Sequence, residues 1–200
     1  AGLVGDAAYA VRGLFGKPTV GEGPVPKGGS ELRRLSTRLA RPMICKATLE
    51  SVRRAQQYVY IQNPYLFDNR VLVGLVKARL RGVDVRVVLP TYNDLKAGHK
   101  ANLVTANYLL KHGVRVYFYP GMTHVKALLV DGWAFVGSAN FNNLSLRLNL
   151  EQNLATSNPQ FASRLKQELF ETDFAKSHEL TEPIAVTWTD HVVDSVFNQF

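Results

Sequence analysis

Between residues 43 and 118 one pattern occurs three times: a stretch of helical apolar spacing, then a short apolar run that ends at a breaker. Cys45, Leu49 and Val52 recur at helical spacing, and Tyr58-Val-Tyr-Ile-Gln62 then reads as a strand stopped by Asn63-Pro64. Leu72, Leu75, Val76 and Leu80 share one face of a second helix, which Gly82 ends, and Val85-Arg-Val-Val-Leu89 follows as a strand stopped by Pro90. A third helix, from about Lys100 to Lys111, breaks at Gly113 and feeds the strand Val114-Arg-Val-Tyr-Phe118. Strands that alternate with helices imply a sheet covered by those helices. The expected fold is α/β, a mixed, largely parallel β-sheet flanked by helices on both faces. Such sheets collect ligands beyond the carboxyl ends of their strands. That makes the segments 62–68, 90–97 and 119–123 candidate pocket walls, with Tyr65, Tyr92 and Asp94 among them.

The flanks are less regular. Residues 1–41 read as a linker or extension. A short apolar opening leads into a Gly/Pro-rich run, then into the basic ELRRLSTRLARP with Arg33, Arg34, Arg38 and Arg41. Residues 42–200 read as the folded domain. Glu151 to Thr156 suggests a strand, and Asn158-Pro159 is a helix start with Asn as N-cap. Phe161, Leu165, Leu169 and Phe174 are spaced for one buried stripe of that helix, and a last helix is expected over 190–197. With 46% hydrophobic and 20% charged residues, the 200-residue chain can bury a sizeable core. The single cysteine, Cys45, excludes a disulfide framework or cysteine-based metal site and reads as a core residue. A net charge of +8 favours anionic partners. No apolar run approaches the roughly 20 residues that span a bilayer. Because the chain does not begin with Met, it is expected to be a segment of a longer protein.

The chemistry concentrates in residues 123–151, THVKALLVDGWAFVGSANFNNLSLRLNLE. On a strand, His124 and Lys126 share a face. A neutral imidazole can attack phosphorus to give a phospho-histidine, which a second nucleophile resolves. The charge on the non-bridging oxygens must then be met by fixed donors and cations. Lys126, the Ser138 hydroxyl and the Asn140 amide can supply these, and no metal or other cofactor is required. Glu151 is the acidic candidate to hold the other nitrogen of His124. Asp131 lies about 20 Å from His124 at roughly 3.3 Å per strand residue. With Gly132 it reads as a hairpin turn, a shaping role with no chemistry. A two-residue turn there would put Lys126 opposite Gly137 and turn Ser138 and Asn140 to the other face. The phosphate site is therefore expected to use a three-residue loop, Asp131 to Trp133, or an equivalent bulge. His99, His112, His178 and His191 lack such a context and read as surface or loop residues.

The ordered set His124, Lys126, Asp131, Gly137, Ser138 and Asn140 resembles the phospholipase D superfamily signature His-x-Lys-x4-Asp-x6-Gly-Ser-x-Asn. IQNPYLFDNR, KARLRGVDVRVVLP, LLKHGVRVYFY and SLRLNLEQNL look like the carboxyl-terminal half of bacterial cardiolipin synthases and related phosphatidyltransferases. The resemblance runs from about Pro42 to Ser177. It departs at Asn142, where members commonly have aspartate. It implies that His124 is the covalent nucleophile, that Lys126, Ser138 and Asn140 cradle phosphate, and that Glu151 pairs with His124. The catalytic set carried over is His124, Lys126, Asp131 and Glu151. Superfamily enzymes work with two such motifs facing each other, and this chain has one. A second half, upstream in a longer protein or on a homodimer mate, is thus an implied partner.

The implied function is a phosphatidyltransferase, cardiolipin synthase-like, or a phospholipase D. It would act on a phospholipid substrate at an anionic membrane surface, peripheral to or anchored at a bacterial cell membrane, with the anchor outside this chain. Two competing readings remain. One is a superfamily nuclease working as a dimer, which the charge suits but which would need a basic-aromatic stripe for nucleic acid that is not apparent. The other is a non-catalytic half that binds anionic membranes.

Overall fold

The computed structural model describes residues 31–38 and 41–187. The short apolar opening, the Gly/Pro-rich run and the helix expected over 190–197 lie outside them. One sheet organises the described chain. Its strands are β1 (Leu32–Arg38), β2 (Arg41–Pro42), β3 (Tyr58–Gln62), β4 (Asp84–Pro90), β5 (Arg115–Tyr119), β6 (Ala127–Val130), β7 (Trp133–Gly137), β8 (Glu151–Thr156) and β9 (His178–Glu179). Their spatial order is β2-β1-β8-β7-β6-β3-β4-β5-β9. The sheet is mixed, and its parallel part is confined to the β3–β4 and β4–β5 pairings. Those are the strands joined by the helical crossovers α1 (Met43–Arg54), α2 (Asn69–Leu80) and α3 (Lys96–Lys111). Everything added at either side is antiparallel, because β6, β7 and β8 are joined by connections that reverse direction.

Helices cover both faces, and strand alternation assigns the side chains. Val59, Ile61, Val85, Val87, Val116, Leu128 and Phe135 pack with α1, α2 and α3 in one core. Tyr60, Val88, Tyr117, Leu129 and Ala134 point the other way, against Phe170 and Phe174. Those two phenylalanines come from the carboxyl-terminal helix, which runs on as α4 (Pro159–Arg164), a π-helical stretch (Leu165–Glu171) and α5 (Thr172–Lys176). Asn158 caps it, accepting from the Phe161 N–H at 2.9 Å. The expected stripe holds only in part. The wider π turns slip the phase, so Phe170 is fully buried while Phe161, Leu165 and Leu169 are half-buried. No helix among the described residues is long and apolar enough to cross a membrane.

The sheet takes in residues before 42. β1 falls inside the basic stretch expected to be a linker, yet it pairs with β8 from Leu32↔Thr156 to Thr37↔Glu151. Leu35 and Thr37 are buried, Arg34 is exposed, and the Arg33 guanidinium lies 5.4 Å from the centre of the Trp133 ring. Of the arginines that made the segment look like a solvated connector, Arg34 is an outward strand residue and Arg33 a cation over an indole. α3 also starts a turn before the expected Lys100, because Asp94 and Leu95 already turn the chain.

The directions of the strands decide where loops meet. β3, β4, β5 and β7 run one way, and β6 and β8 run back. The segments 63–68, 91–95, 120–126 and 138–150 therefore gather at one edge, and the 131–132 turn lies at the opposite edge.

Candidate active site

His124, Lys126, Ser138, Asn140 and Glu151 all stand at the first of these edges. Asp131 stands at the other, separated by the length of β6. Asp131 and Gly132 have φ of +45° and +90°, the two positive angles of a type I′ turn. The Asp131 carboxylate accepts three backbone N–H groups, from Gln56 at 2.7 Å, Gln57 at 3.0 Å and Tyr58 at 2.9 Å. It thereby pins the α1–β3 connection to the hairpin.

The expected three-residue loop is not what forms. Val130 pairs with Trp133 and Ala127 with Val136, a two-residue turn that sets Lys126 opposite Gly137. The sequence contains the reason: five residues, 132–136, separate Asp131 from Gly137, one fewer than the signature's six. Strand alternation does not set the faces here, because regular strand stops where the site begins. β6 starts at Ala127 and β7 ends at Gly137, so neither Lys126 nor Ser138 is bound to strand alternation. Gly137 must be glycine, since a Cβ there would sit 2.2 Å from Asn153 Oδ1 and 2.4 Å from the Gln152 carbonyl oxygen. Past it, the Ser138 hydroxyl donates to the Glu151 carboxylate and accepts from the Gln152 N–H at 3.1 Å.

Lys126 is half-buried, and its ammonium donates to the His124 carbonyl at 3.0 Å. Burial lowers its pKa, while the carboxylates of Glu151 and Asp94 pull in the opposite direction. Glu151 thus bonds Ser138 and acts electrostatically on Lys126. His124 is exposed, with Asp94 close enough to interact electrostatically. Asn140 is half-buried, and its Oδ1 has no hydrogen-bond partner. Among the described residues, no hydrogen bond joins Asn140 to the other four. Asn142, the departure from aspartate, accepts the Ser145 N–H at 2.8 Å at the start of a π turn (Leu144–Leu148). A carboxylate could accept that bond equally well, so the substitution is structurally mild.

Several positioning residues were not apparent from the sequence. Gln62, fully buried at the end of β3, donates to Thr123 Oγ1 at 3.1 Å and to Asp173 Oδ2 at 2.8 Å. It ties the residue before His124 to the opposite-face helix. Buried Asn63 donates to the Ala139 carbonyl at 3.3 Å, and Asn153 accepts the Ala139 N–H at 3.2 Å, holding the 138–141 segment from both sides. Gln62 and Asn63 are amides at the end of a strand, whereas Asn153 lies within β8. Tyr65 and Asp94, read as pocket walls, are hydrogen-bonded to each other. Tyr92 is exposed. Of the remaining histidines among the described residues, His99 is half-buried on α3 rather than on a loop, and its Nδ1 has no partner. Burial lowers its pKa. His112 caps α3, its Nδ1 lying 2.7 Å from the Tyr108 carbonyl oxygen.

Residues 48–173 match the family model described as "Cardiolipin synthase, PLD-like domain". The chain is 36% identical over 181 residues to cardiolipin synthase A of Pseudomonas entomophila (strain L48), covering 88% of this chain and 37% of that protein. It is 39% identical over 137 residues to cardiolipin synthase A of Pseudomonas fluorescens (strain SBW25), covering 67% of this chain and 28% of that protein. It thus spans about a third of the length of these relatives. Among solved structures, the fold is shared with Nuc, a phospholipase D family member from Salmonella typhimurium. That match has a TM-score of 0.67 at 19% identity, over 77% of this chain and all of the other. Phosphatidylserine synthase of Haemophilus influenzae Rd KW20 matches with a TM-score of 0.63 at 15% identity, over 87% of this chain and 46% of that one. With the signature residues gathered at one sheet edge and this family model spanning most of the described chain, the protein belongs to the phospholipase D superfamily, in its cardiolipin synthase-like branch.

Proposed function

We propose that this chain is one half of a phosphatidyltransferase active site, working on phospholipids at an anionic membrane surface. The observation that carries the reading is the clustering, at one edge, of exposed His124 with Lys126, Ser138 and Glu151. In the first step a His124 nitrogen attacks the phosphodiester phosphorus, and the bond from phosphorus to the headgroup oxygen breaks. The leaving oxygen takes a proton from an acid that the second half supplies. In the second step an alcohol oxygen attacks phosphorus, and the pair in the phosphorus–nitrogen bond returns to the imidazole. Lys126, Ser138 and Asn140 meet the charge on the non-bridging oxygens. Glu151 orients the imidazole, a role that requires it to exchange its Ser138 contact for His124 when substrate arrives. Asp131 builds the hairpin and takes no part in bond changes. The partner half is either an upstream copy in a longer protein or a homodimer mate.

Mixed micelles of phosphatidylglycerol, run beside a DNA-cleavage assay, test this on the catalytically competent protein. Transfer or hydrolysis products from the lipid are expected. Cleavage of DNA with an untouched lipid would replace this reading by a nuclease, which the charge of +8 would suit. Lipid binding with no product in either arm would leave a non-catalytic half.

A further inference from the structure

A carboxylate at the mouth of a phosphate site needs a reason, because it repels the phosphate that the site must hold. Asp94 is such a group. It lies in the loop after β4, beside the loop after β5 that carries His124. The two loops are joined by Thr91, whose N–H donates to the Tyr119 carbonyl at 3.0 Å and whose hydroxyl accepts the Gly121 N–H at 2.7 Å. Asp94 interacts electrostatically with both His124 and Lys126.

Its position is built rather than incidental. The Tyr65 hydroxyl donates to Oδ1, which also accepts the Leu95 N–H at 3.0 Å, the residue's own N–H bonds the carboxylate as well, and the side chain stands exposed. The Tyr65 ring lies in a cradle only glycine permits, since a Cβ on Gly98 would sit 2.3 Å from its Cε1. The loop bearing Tyr65 is fixed in turn by buried Asn93 and Asn102, which donate to the Pro64 carbonyl at 3.2 and 2.7 Å. Burial and the Asp94 contact push the Tyr65 phenol up to about 12, so the tyrosine stays a donor at neutral pH. That bond holds the Asp94 carboxyl below its ordinary value, and it stays ionised.

We propose that Asp94, held by Tyr65, is the hydroxyl-binding position for the acceptor alcohol: its carboxylate accepts a hydrogen bond from one hydroxyl of a polyol while a neighbouring hydroxyl attacks phosphorus. This rests on the phosphatidyltransferase reading above. Asp94 itself forms and breaks no covalent bond. The attacking oxygen makes the new phosphorus–oxygen bond, the His124 nitrogen leaves, and the attacking hydroxyl's proton goes to the base of the second half. The ligand class is a vicinal diol such as glycerol, and a monohydric alcohol gains nothing from the extra contact.

The test compares transfer from phosphatidylglycerol to radiolabelled glycerol with transfer to 1-propanol in the competent protein, alongside trapping of the phospho-histidine. Asp94→Asn and Asp94→Ala should lower the glycerol-to-propanol ratio of kcat/KM by about tenfold or more, the value of a hydrogen bond to a charged group. Tyr65→Phe, which keeps the ring in its cradle, should lower the ratio in the same direction by less. An unchanged ratio, whether both rates hold or both fall together, would overturn the inference. Absence of phospho-histidine and of both products in the unsubstituted protein would overturn the underlying reading, and the inference with it.

Discussion

The motif aspartate offers a sharp prediction, because the structure gives it much to do far from the chemistry. Asp131→Ala removes a carboxylate that accepts three backbone N–H groups and leaves alanine at a φ of +45°. A hydrogen bond to a charged group contributes about 1.5–3 kcal/mol when its donor is desolvated. Here the Gln56 and Gln57 donors are exposed and water can replace their acceptor, so only the half-buried Tyr58 bond counts near full value. The left-handed conformation costs alanine a further ~1 kcal/mol relative to aspartate, which adopts it more readily. The sum is about 2–4 kcal/mol, or roughly 5–15 °C in Tm for a domain this size. Asp131→Asn, which tolerates the φ and keeps one acceptor oxygen, should lose about half as much. Urea unfolding with an unchanged m-value measures the loss. Phospho-histidine formation by the folded fraction of either variant should persist. A variant of undiminished stability that no longer forms the intermediate would refute the assignment and return Asp131 to the chemistry.

Other consequences are equally concrete. Gln62→Leu would strip buried Asp173 of a donor and release Thr123, so urea unfolding should show about 2–4 kcal/mol lost, with the 120–126 loop less protected in hydrogen exchange. Gly98→Ala forces the Tyr65 ring out of its cradle, and about 1–3 kcal/mol of stability should go with it, together with the preference for glycerol as acceptor. The bidentate Arg115–Glu179 pair, 2.7 Å in both arms, fastens β9 to β5 and holds the Glu179 carboxyl below its ordinary value. A lowered carboxylate contributes stability above its unfolded pKa and loses it as pH falls through the folded one. Glu179→Gln should therefore be slightly less stable than the parent at pH 7, by under about 1 kcal/mol given the pair's exposure, and equal to it near pH 2. A gap that persists at low pH would mean the contact is not electrostatic.

Much of the fold could be read from local pattern. Val59 and Ile61 face one core and Tyr60 the other, so β3 announces itself as a strand buried on both sides, and Asn158 and Asp131-Gly132 carry their own cap and turn chemistry. What stayed hidden depends on partners distant in sequence. β1 is a strand because β8, more than a hundred residues away, offers it a ladder, and Arg33 is half-buried because Trp133 lies under it. Phe170 displaced the expected Leu165 and Leu169 through a π slip that apolar spacing does not encode. At the site, the motif named the residues that gather at one edge, but their faces could not be read because regular strand ends at Gly137. The one-residue deficit in the hairpin was there to be counted. Gln62 and the Tyr65–Asp94 pair sit on loop ends whose polarity has many bland explanations, and only their mutual contacts single them out.

In the proposed reaction His124 takes the phosphatidyl group. Quenching the competent protein during turnover of phosphatidylglycerol labelled in its phosphate, then mapping the label, tests it directly. An acid-labile, base-stable label on His124 that His124→Ala abolishes is expected. Full labelling in His124→Ala, or turnover through a trapped intermediate on another residue of this chain, would contradict it.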